Sequence, residues 1–516
     1  MPEMRGDLTQ ALVDTDVWAD EMLDRAGIPV VDVPFVTIGS GIGSFVTYDT
    51  LRIFGVPAQS MAVLGPQEHP WASYEYLTRV SQIPRGERLR SDSASEPDNM
   101  WGFPSYAVRE AIADKSIKPL WNVFVEPIFA NYYTPRAGQA FVGMEREFQR
   151  IGYASSLHRG QVRMVRKRHG GGYFTILTPA AGSTPTKRVA FRSTYVHVAV
   201  GYPGLKLLPD LQEYRETHRD PTRVVNAYEP HEHVYQALQR RPGTVLIRGS
   251  GIVASRVLQR LIDDRDRMQL NTQILHLFRT YVAKSHGKNV FNRRKGADGW
   301  AYQGFNYPKS VWGGQLKQKM RNLQGEQRAA AYKEISGTNT PIRRLWQEQL
   351  RRGRKQGWYQ MMAGTMRAPR PAVGRQGVVA TIIPDLTAEL PVPPPAQPFD
   401  TTVDYIIDCT GLEADIREHR LLADLLDHAG AGRNPVGRLD VDTTFELIGT
   451  RSGSGRIYAS GSATLGGPFV GVDTFLGLQI AAQEIADDLA ALGFCKRMGP
   501  LRSTSQWWAW VMNKRI

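Results

Sequence analysis

The chain has 516 residues, of which 42% are hydrophobic and 22% charged. This length favours two or three domains over one compact core, and the composition excludes a fibrous or disordered chain. No window approaches the run of about 18 apolar residues that a membrane-spanning helix needs, and the N-terminal stretch lacks the apolar core of an export signal. We therefore expect a cytoplasmic protein.

The two cysteines, Cys409 and Cys495, are too few for a disulfide framework, a zinc knuckle or an iron–sulfur cluster. They also lie far apart in sequence, so the closely spaced thiol pair of a dithiol reductase is missing. The sequence therefore argues against a disulfide reductase of that kind.

The formal net charge is +14, and its distribution is uneven. The segment from Lys284 to Arg370 carries 19 Lys and Arg residues against four acids, so it holds the whole surplus. A concentrated basic surface attracts anions, such as an anionic substrate, an acidic carrier protein or nucleic acid. The alternative is a solvated helical face without a partner.

The chain begins with an expected amphipathic helix from about Leu8 to Arg25, and the apolar run Val30–Ile38 predicts a strand. A glycine-rich turn follows the strand, with the candidate contacts Gly39, Ser40, Gly41, Gly43 and Ser44. Small residues let a phosphate approach the backbone, and the next helix offers it N-terminal N–H groups. The turn therefore predicts a dinucleotide site, with a ligand-free turn in a parallel sheet as the alternative.

An acidic residue normally ends the second strand of such a unit and binds ribose hydroxyls. Here the strand Ser60–Leu64 runs into Gly65, and no carboxylate stands in the usual place. Either Glu68 reaches round to the ribose, or water and backbone groups hold it.

The middle of the first half reads as short strands. Gln161–Arg168 and Tyr173–Leu177 flank three consecutive glycines, which predicts a hairpin. Further strands are expected at Val189–Arg192 and Tyr195–Val200.

A second strand and glycine turn of the same kind appear about 210 positions after the first, at Thr244–Ile247 and the candidate contacts Gly249, Ser250, Gly251 and Ala254. Such a duplication is more specific than either motif alone. The next strand, Gln273–Phe278, ends in Arg279. Because a guanidinium pairs with a 2′-phosphate that a carboxylate would repel, the sequence favours NADPH over NADH. Arg256 is a further candidate for the same phosphate pocket.

The remaining chain is predicted to be largely helical through the basic segment, with a strand at Gly377–Ile383 and an extended proline-rich linker at Pro391–Pro398. Strands are expected at Asp404–Asp408 and Arg456–Ala459, and a helix from about Val472 to Leu492. His231 and His233 lie two residues apart, but no further ligands accompany them, so no metal site is predicted.

Several of these features resemble the class B flavin-dependent monooxygenases, a family with two dinucleotide-binding domains and an N-hydroxylating branch. One turn lies near the N-terminus and the other in mid-chain, and the strand ends His197–Gly201 and Ile406–Gly411 are similar to the junctions between the family's domains. The closing stretch with Gly461, Ser462 and Asp473 is similar to the second FAD contact. Arg90 and Ser91 belong to a Leu-Arg-Ser segment. It resembles a segment that lies beside the flavin in the N-hydroxylating branch of the family.

The resemblance, which covers about Val30 to Leu492, implies an α/β protein with two Rossmann-like domains, one for FAD and one for NADPH. It implies an FAD-binding domain formed by residues 30–205 and 400–516, after an N-terminal helical extension at 1–29. The NADPH-binding domain would span 206–399 and contain the basic, mainly helical insertion at about 284–370.

The activity that the resemblance implies is oxygen insertion: NADPH reduces FAD, and one oxygen atom from O2 enters a small metabolite, anionic or carrier-bound, with N-hydroxylation favoured. Three departures from the family pattern weaken a Baeyer–Villiger assignment. Ser462 replaces an acid that many relatives carry, the first domain junction reads Ala199–Gly201 in place of an Ala-Thr-Gly-like sequence, and the stretch Asn226–His233 replaces a Phe-x-Gly-x-x-x-His fingerprint. The alternatives are an NAD(P)H-dependent flavoprotein reductase without oxygen insertion and a degenerate nucleotide-binding scaffold. No catalytic acid or base and no oligomeric state are predicted.

Overall fold

The computed structural model describes residues 6–89, 96–101, 105–125, 133–180, 187–286, 294–302, 315–337, 339–374, 376–412 and 415–516. Its strands are β1 Val17–Trp18, β2 Val30–Asp32, β3 Phe35–Ile38, β4 Met61–Gly65, β5 Leu157–Arg168, β6 Tyr173–Pro179, β7 Val189–Ser193, β8 Tyr195–Val198, β9 Val224–Asn226, β10 Thr244–Arg248, β11 Gln273–Phe278, β12 Val282–His286, β13 Arg294–Tyr302, β14 Tyr359–Pro371, β15 Val378–Pro384, β16 Phe399–Val403, β17 Tyr405–Asp408 and β18 Arg456–Ala459.

The helices are α1 Gln10–Val13, α2 Asp20–Ala26, α3 Ile42–Ile53, α4 Ala72–Val80, α5 Ser105–Ala113, α6 Lys118–Phe124, α7 Ala137–Arg150, α8 Pro209–His218, α9 Glu232–Arg240, α10 Ile252–Met268, α11 Gln315–Asn322, α12 Gly325–Ile335, α13 Arg344–Gln356, α14 Arg420–His428, α15 Phe475–Ala491 and α16 Pro500–Val511. Within the part of the chain that the structure describes, no helix combines the length and apolar character needed to cross a bilayer.

The first sheet has the order β18-β8-β3-β4-β5-β6-β7-β2, with β1 beside β5. Strands β18, β8, β3 and β4 run parallel, and α3, which leads from β3 towards β4, packs against α15. The long strand β5 continues the parallel sheet beside β4 and then pairs antiparallel with β6, which confirms the predicted glycine hairpin. The carboxyl ends of β3, β8 and β18 therefore lie side by side.

The second sheet repeats this arrangement with the order β9-β17-β10-β11-β14-β15-β16. The five neighbouring strands β9, β17, β10, β11 and β14 are parallel. Strands β14, β15 and β16 form an antiparallel meander, as β5, β6 and β7 do in the first sheet. Val245 and Ile247 of β10 belong to one apolar cluster and Leu246 to another, so both faces of the sheet are covered. The duplication predicted from two glycine turns extends to seven strands of each sheet.

We call the part of the chain built on the first sheet the first unit and the part built on the second sheet the second unit. The boundary between these two units differs from the domain boundary predicted from the sequence. Strands β16 and β17 pair with β15 and β10, so residues 399–408 belong to the second sheet. The predicted return to the first unit at residue 400 therefore falls inside the second sheet, and the chain leaves that sheet only after Asp408. The basic insertion holds helices α11 to α13, as expected, but also the hairpin β12–β13 and most of β14.

The N-terminal extension is not one helix from Leu8 to Arg25. It consists of α1 and α2 with strand β1 between them, because Trp18 is fully buried and its indole N–H donates to the carbonyls of Leu12 and Thr15, at 3.0 and 2.9 Å. Asp20 pairs with Arg168 of β5 and Arg192 of β7. The extension is thus part of the first unit rather than a separate arm.

The basic surplus of residues 284–370 is partly neutralised by the rest of the chain. Several of its cations pair with acids outside the segment: Lys284 with Glu389, Arg321 with Glu484, Arg343 with Glu87, Arg352 with Asp266, and Arg370 with Asp400. A charge surplus that is contiguous in sequence is therefore not one free basic surface in the fold.

Three carboxylates are buried together between α3, α7 and the loop 96–101. The single N–H of Arg150 Nε is shared between the two carboxylate oxygens of Glu147, at 2.9 and 2.8 Å, and Asp49 lies 3.9 Å from the same guanidinium. Asp98 accepts a hydrogen bond from Tyr106, and burial raises its pKa from 3.8 to about 6. Burial also raises the pKa of Asp49 well above its usual value, and the neighbouring Glu147 adds to the shift, so Asp49 and Asp98 hold their protons more readily than free aspartates do.

The cluster predicts a pH-dependent stability. Because the pKa of Asp98 is higher in the folded than in the unfolded chain, the folded state loses stability as pH rises from about 4 to 6. We expect Asp98→Asn to gain melting temperature relative to the parent protein across this window and to keep that gain at pH 7, measured by calorimetry. The control is Asp400→Asn: Thr381 and Arg370 lower the pKa of Asp400, so its variant should lose relative stability as pH rises. A constant difference between Asp98→Asn and the parent at all pH values would contradict the argument.

Candidate functional site

The first glycine turn is fixed by the end of the neighbouring strand. Gly39 has φ +102°, and a side chain there would collide with the carbonyl oxygen of Ala199, which follows β8. Gly41 then caps α3 without a side-chain hydrogen bond, so the first N–H groups of the helix have no side-chain acceptor from the cap. The turn is a cradle that only glycine fills and that leaves donors for an anion.

The missing carboxylate at the end of β4 has a steric explanation. A Cβ at Gly65 would lie 2.5 Å from both the backbone nitrogen and Oγ of Ser40, so the glycine turn occupies that space. Gln67 replaces the acid: its backbone N–H donates to Ser40 Oγ at 2.8 Å, and its Oε1 is buried without a partner among the described residues. Glu68 pairs instead with Arg159.

Gln67 Oε1 also lies 4.0 Å from the position that a Cβ on Gly41 would take, beside the cradle. An unpartnered buried acceptor there suits the hydroxyl of a sugar. The residues around the first turn therefore fit the dinucleotide expected from the sequence, with an amide in place of the usual acid.

A chain of buried polar groups crosses the three strand ends beneath the turn. Thr37 of β3 donates to Ser44 at 2.9 Å and lies 2.9 Å from Nδ1 of His197 in β8, whose Nε2 lies 2.9 Å from Ser460 Oγ after β18. Burial lowers the pKa of His197 to about 3, so the ring is neutral. These hydrogen bonds connect α3 to the ends of β8 and β18.

The closing stretch predicted from the sequence comes to the same edge. Ser462 donates to the carbonyl of Gly201 at 2.6 Å, and Asp473 accepts a hydrogen bond from Tyr202 at 2.7 Å. Gly461 has φ +78° and a would-be Cβ 3.6 Å from Leu478, the residue whose side chain also approaches Gly43. The structure thus brings together the predicted residues of the first turn and the closing stretch.

The second glycine turn repeats the geometry of the first. Gly249 has φ +124°, and its would-be Cβ lies 2.8 Å from the carbonyl oxygen of Cys409, after β17. Gly251 caps α10 with φ −87° and ψ −173°, against −87° and −170° at Gly41. Ala254 is buried in the helix, whereas Ser250 and Gly251 of the turn are half-buried, so solvent reaches the helix N-terminus. This turn also fits a diphosphate.

Of the two arginines predicted for a 2′-phosphate, the structure leaves one available. Arg279 is exposed directly after β11, with no ion pair or hydrogen bond to any described residue. Arg256 instead pairs with the buried Glu87 of the first unit. Its predicted role in the phosphate pocket is therefore corrected to a contact between the units.

Glu87 gathers two cations from the second unit. Besides Arg256, it accepts from Arg343 at 3.0 Å, and the same guanidinium donates to Ser255 of α10 at 2.8 Å. Ser255 also lies 2.7 Å from Thr340. Glu87 is 4% exposed, so this ion cluster fixes the start of α10, and with it the second turn, against the first unit.

Two predicted contacts, Arg90 and Ser91, lie outside the described residues. His231 and His233 do not share a ligand: His231 lies within hydrogen-bond distance of Glu229 O and Tyr235, and His233 of Thr222 O. Among the described residues, no group of three or more His, Cys, Asp or Glu side chains could hold a metal ion.

Sequence analysis did not identify Gln67, Glu87 or His197 as functional. Gln67 and His197 lie at strand ends that the sequence motifs had already singled out. A polar amide or imidazole at such a strand end could have indicated a role in the site. Glu87 had none, because its partners lie far along the chain.

No protein-family model and no curated protein matches the sequence. Solved structures do match. The ornithine hydroxylase of Pseudomonas aeruginosa aligns with a TM-score of 0.62 at 16% identity, over 89% of this chain and 99% of that one. The ornithine N-hydroxylase of Kutzneria sp. 744 gives 0.61 at 12%, over 90% and 100%. The cadaverine monooxygenase DfoA of Erwinia amylovora gives 0.60 at 12%, over 88% and 94%. The chain has the two-domain Rossmann-like fold of these proteins.

The ion cluster predicts a large stability cost for one small change. Glu87→Gln leaves two guanidinium groups half-desolvated without their acid, so we expect a loss of about 3–5 kcal/mol in unfolding free energy, measured by denaturant titration. The matched control is Glu68→Gln, which breaks an exposed pair with Arg159 and should cost less than about 1 kcal/mol. Equal losses in the two variants would show that Glu87 does not hold the units together.

Proposed function

We propose that this protein is an FAD- and NADPH-dependent monooxygenase that transfers one oxygen atom from O2 to a small metabolite, with N-hydroxylation of a primary amine favoured. The observation that carries the proposal is the pair of glycine cradles at equivalent strand ends of two duplicated sheets. The fold likeness to an ornithine hydroxylase and a cadaverine monooxygenase supports the choice of reaction.

FAD is assigned to the first turn and NADPH to the second. At the first turn, the N–H groups at the start of α3 face the FAD diphosphate, Gln67 takes the place of the ribose-binding acid, and the stretch from Gly461 to Asp473 supplies the second contact. At the second turn, Ser250 and Gly251 lead into α10, and Arg279 takes the 2′-phosphate.

Bound FAD supplies the redox chemistry, namely hydride acceptance and oxygen activation. The chain supplies position. Thr37, His197 and Ser460 keep the three strand ends of the first turn in register through neutral groups. Glu87 holds the second turn at a fixed place relative to the first through Arg256 and Arg343. Fixed separation of two reactive groups is the condition for direct hydride transfer between them.

The substrate class in this proposal is a small primary amine, by analogy with the amine substrates named for the matched structures. An acidic carrier protein or another anionic ligand at residues 284–370 stays a prediction, since part of that charge is neutralised within the fold. A cytoplasmic location, with access to the cellular NADPH pool, is part of the same proposal.

The test begins with the purified protein, which should be yellow, with flavin absorbance near about 450 nm. It is then incubated with NADPH, isotopically labelled O2 and a panel of primary amines that includes ornithine, lysine and cadaverine, and the products are analysed by mass spectrometry. Label in a hydroxylamine product supports the proposal. NADPH consumption with electron transfer to a quinone and no labelled product would assign a reductase instead, and failure to bind flavin or NADPH would assign a nucleotide-free scaffold.

Arg279→Ala tests the choice of nicotinamide cofactor. Loss of a guanidinium that pairs with the 2′-phosphate should raise KM for NADPH by about tenfold or more and leave KM for NADH nearly unchanged. Arg267→Ala is a matched control, because Arg267 is another exposed arginine of the same unit, already paired with Asp264. Equal effects of Arg279→Ala on both cofactors would refute the assignment of the second turn to NADPH.

A further inference from the structure

A buried histidine holds the carbonyl group of the second glycine turn. Nε2 of His276, in the middle of β11, lies 2.6 Å from the carbonyl oxygen of Gly249. Nδ1 of the same ring lies 2.8 Å from the hydroxyl of Tyr359 at the start of β14. The ring therefore links the turn to the strand on the far side of β11.

The protonation of this ring follows from its two partners. A carbonyl oxygen only accepts, so Nε2 carries the hydrogen, and Nδ1 accepts from the Tyr359 hydroxyl. His276 is fully buried, and burial lowers its pKa to about 4, so the ring remains neutral at physiological pH. Its tautomer is fixed by the contacts rather than by the solvent.

The rings around His276 come from β11 itself and from the basic insertion. Phe278 and Trp300 lie 3.9 and 5.0 Å from the His276 ring, centroid to centroid, and Trp346 packs on Trp300 at 4.9 Å. Trp300 is delivered by β13 and Trp346 by α13, and both are buried. The insertion thus seals the histidine against water and against other rotamers.

The contact matters because the carbonyl of Gly249 and the N–H of Ser250 belong to one planar peptide unit. Whatever fixes the direction of the carbonyl also fixes the opposite direction of the N–H. Gly249 has the positive φ of +124° that only glycine adopts readily, so the turn would otherwise be free to rotate this peptide. A hydrogen bond from a rigid ring removes that freedom.

We propose that His276 is a positioning residue that aims the Ser250 N–H of the second glycine turn at the diphosphate of the nicotinamide cofactor. The inference rests on the proposed function, since it takes that cofactor to be the ligand of this turn. It differs from the role of Arg279 in one respect: the diphosphate is common to NADPH and NADH, so His276 acts on both. The first turn offers an internal contrast, because its buried histidine, His197, bonds to Thr37 and Ser460 side chains rather than to the turn's carbonyl.

The test uses the full-length protein with its flavin. His276→Leu removes the donor, and His276→Gln keeps an amide N–H that can reach the Gly249 carbonyl. Calorimetric titration with NADP⁺ and with NAD⁺ should give Kd values raised by about tenfold for both nucleotides in His276→Leu, corresponding to one lost hydrogen bond, and by less than about threefold in His276→Gln. Flavin content should be unchanged in both variants.

Tyr359→Phe provides the matched control, because it removes the outer hydrogen bond of the ring and leaves Nε2 its donor role. It should bind both nucleotides within about threefold of the parent protein. A purely structural role of the aromatic cluster would instead lower melting temperature in all three variants without separating their Kd values.

The outcomes distinguish this inference from the function on which it rests. If the parent protein binds neither nucleotide, the proposed function fails. If the parent binds and His276→Leu binds as tightly, or if His276→Leu weakens only NADP⁺, the positioning role is overturned while the proposed function stands. Should His276→Leu fail to fold, Tyr359→Phe decides: if this variant, which keeps the contact between Nε2 and the Gly249 carbonyl, weakens both nucleotides by about tenfold, the positioning role is overturned.

Discussion

The close approach of one peptide carbonyl to one glycine underlies both candidate sites. The carbonyl oxygens of Ala199 and Cys409 stand where a side chain at Gly39 or Gly249 would be. This contact can form only between neighbouring parallel strands whose carboxyl ends are level, so it depends on the register of the sheet. Once it forms, the chain must turn sharply into a helix, and the N–H groups of that helix face the same crevice. The register of the parallel strands therefore also determines where the candidate anion site forms.

The two units obey this constraint in the same way and differ in what surrounds it. At the end of β4, Ser40 fills the space next to Gly65, and the neighbouring polar group is the neutral amide of Gln67. At the end of β11, the neighbouring group is the exposed cation Arg279. A neutral acceptor suits a sugar hydroxyl, and a cation suits an extra phosphate. In the proposed function, these residues after β4 and β11 would distinguish the two cofactors.

Much of this arrangement could be predicted from the sequence, because it is encoded locally. Apolar runs followed by glycine turns identified β10 and β3, and the three-glycine hairpin was placed correctly. The single strand predicted at Val30–Ile38 is, however, divided into β2 and β3, because β2 pairs with β7 and β3 with β4 and β8. The errors came from long-range effects. Trp18 breaks the predicted N-terminal helix by burying itself against its own loop, and β16 joins the second sheet through pairing that no local pattern reveals. Partners such as Glu87 were invisible because an ion pair is specified in space, not along the chain.

The basic insertion shows that a charge count along the chain does not describe a surface. Counted along the chain, residues 284–370 look like a surface for an anionic partner. In the fold, Arg343 of this segment joins the first unit through Glu87, and Arg321 does so through Glu484. Its buried aromatic residues Trp300 and Trp346 enclose the histidine beneath the second glycine turn. The segment thus contacts both units. Arg343 and Arg321 pair with acids of the first unit, and Trp300 and Trp346 pack around the histidine that contacts the second glycine turn. Arg343 and Arg321 are mostly buried and already paired, so these two cations are less available to an external anion than the exposed Lys and Arg residues of the segment.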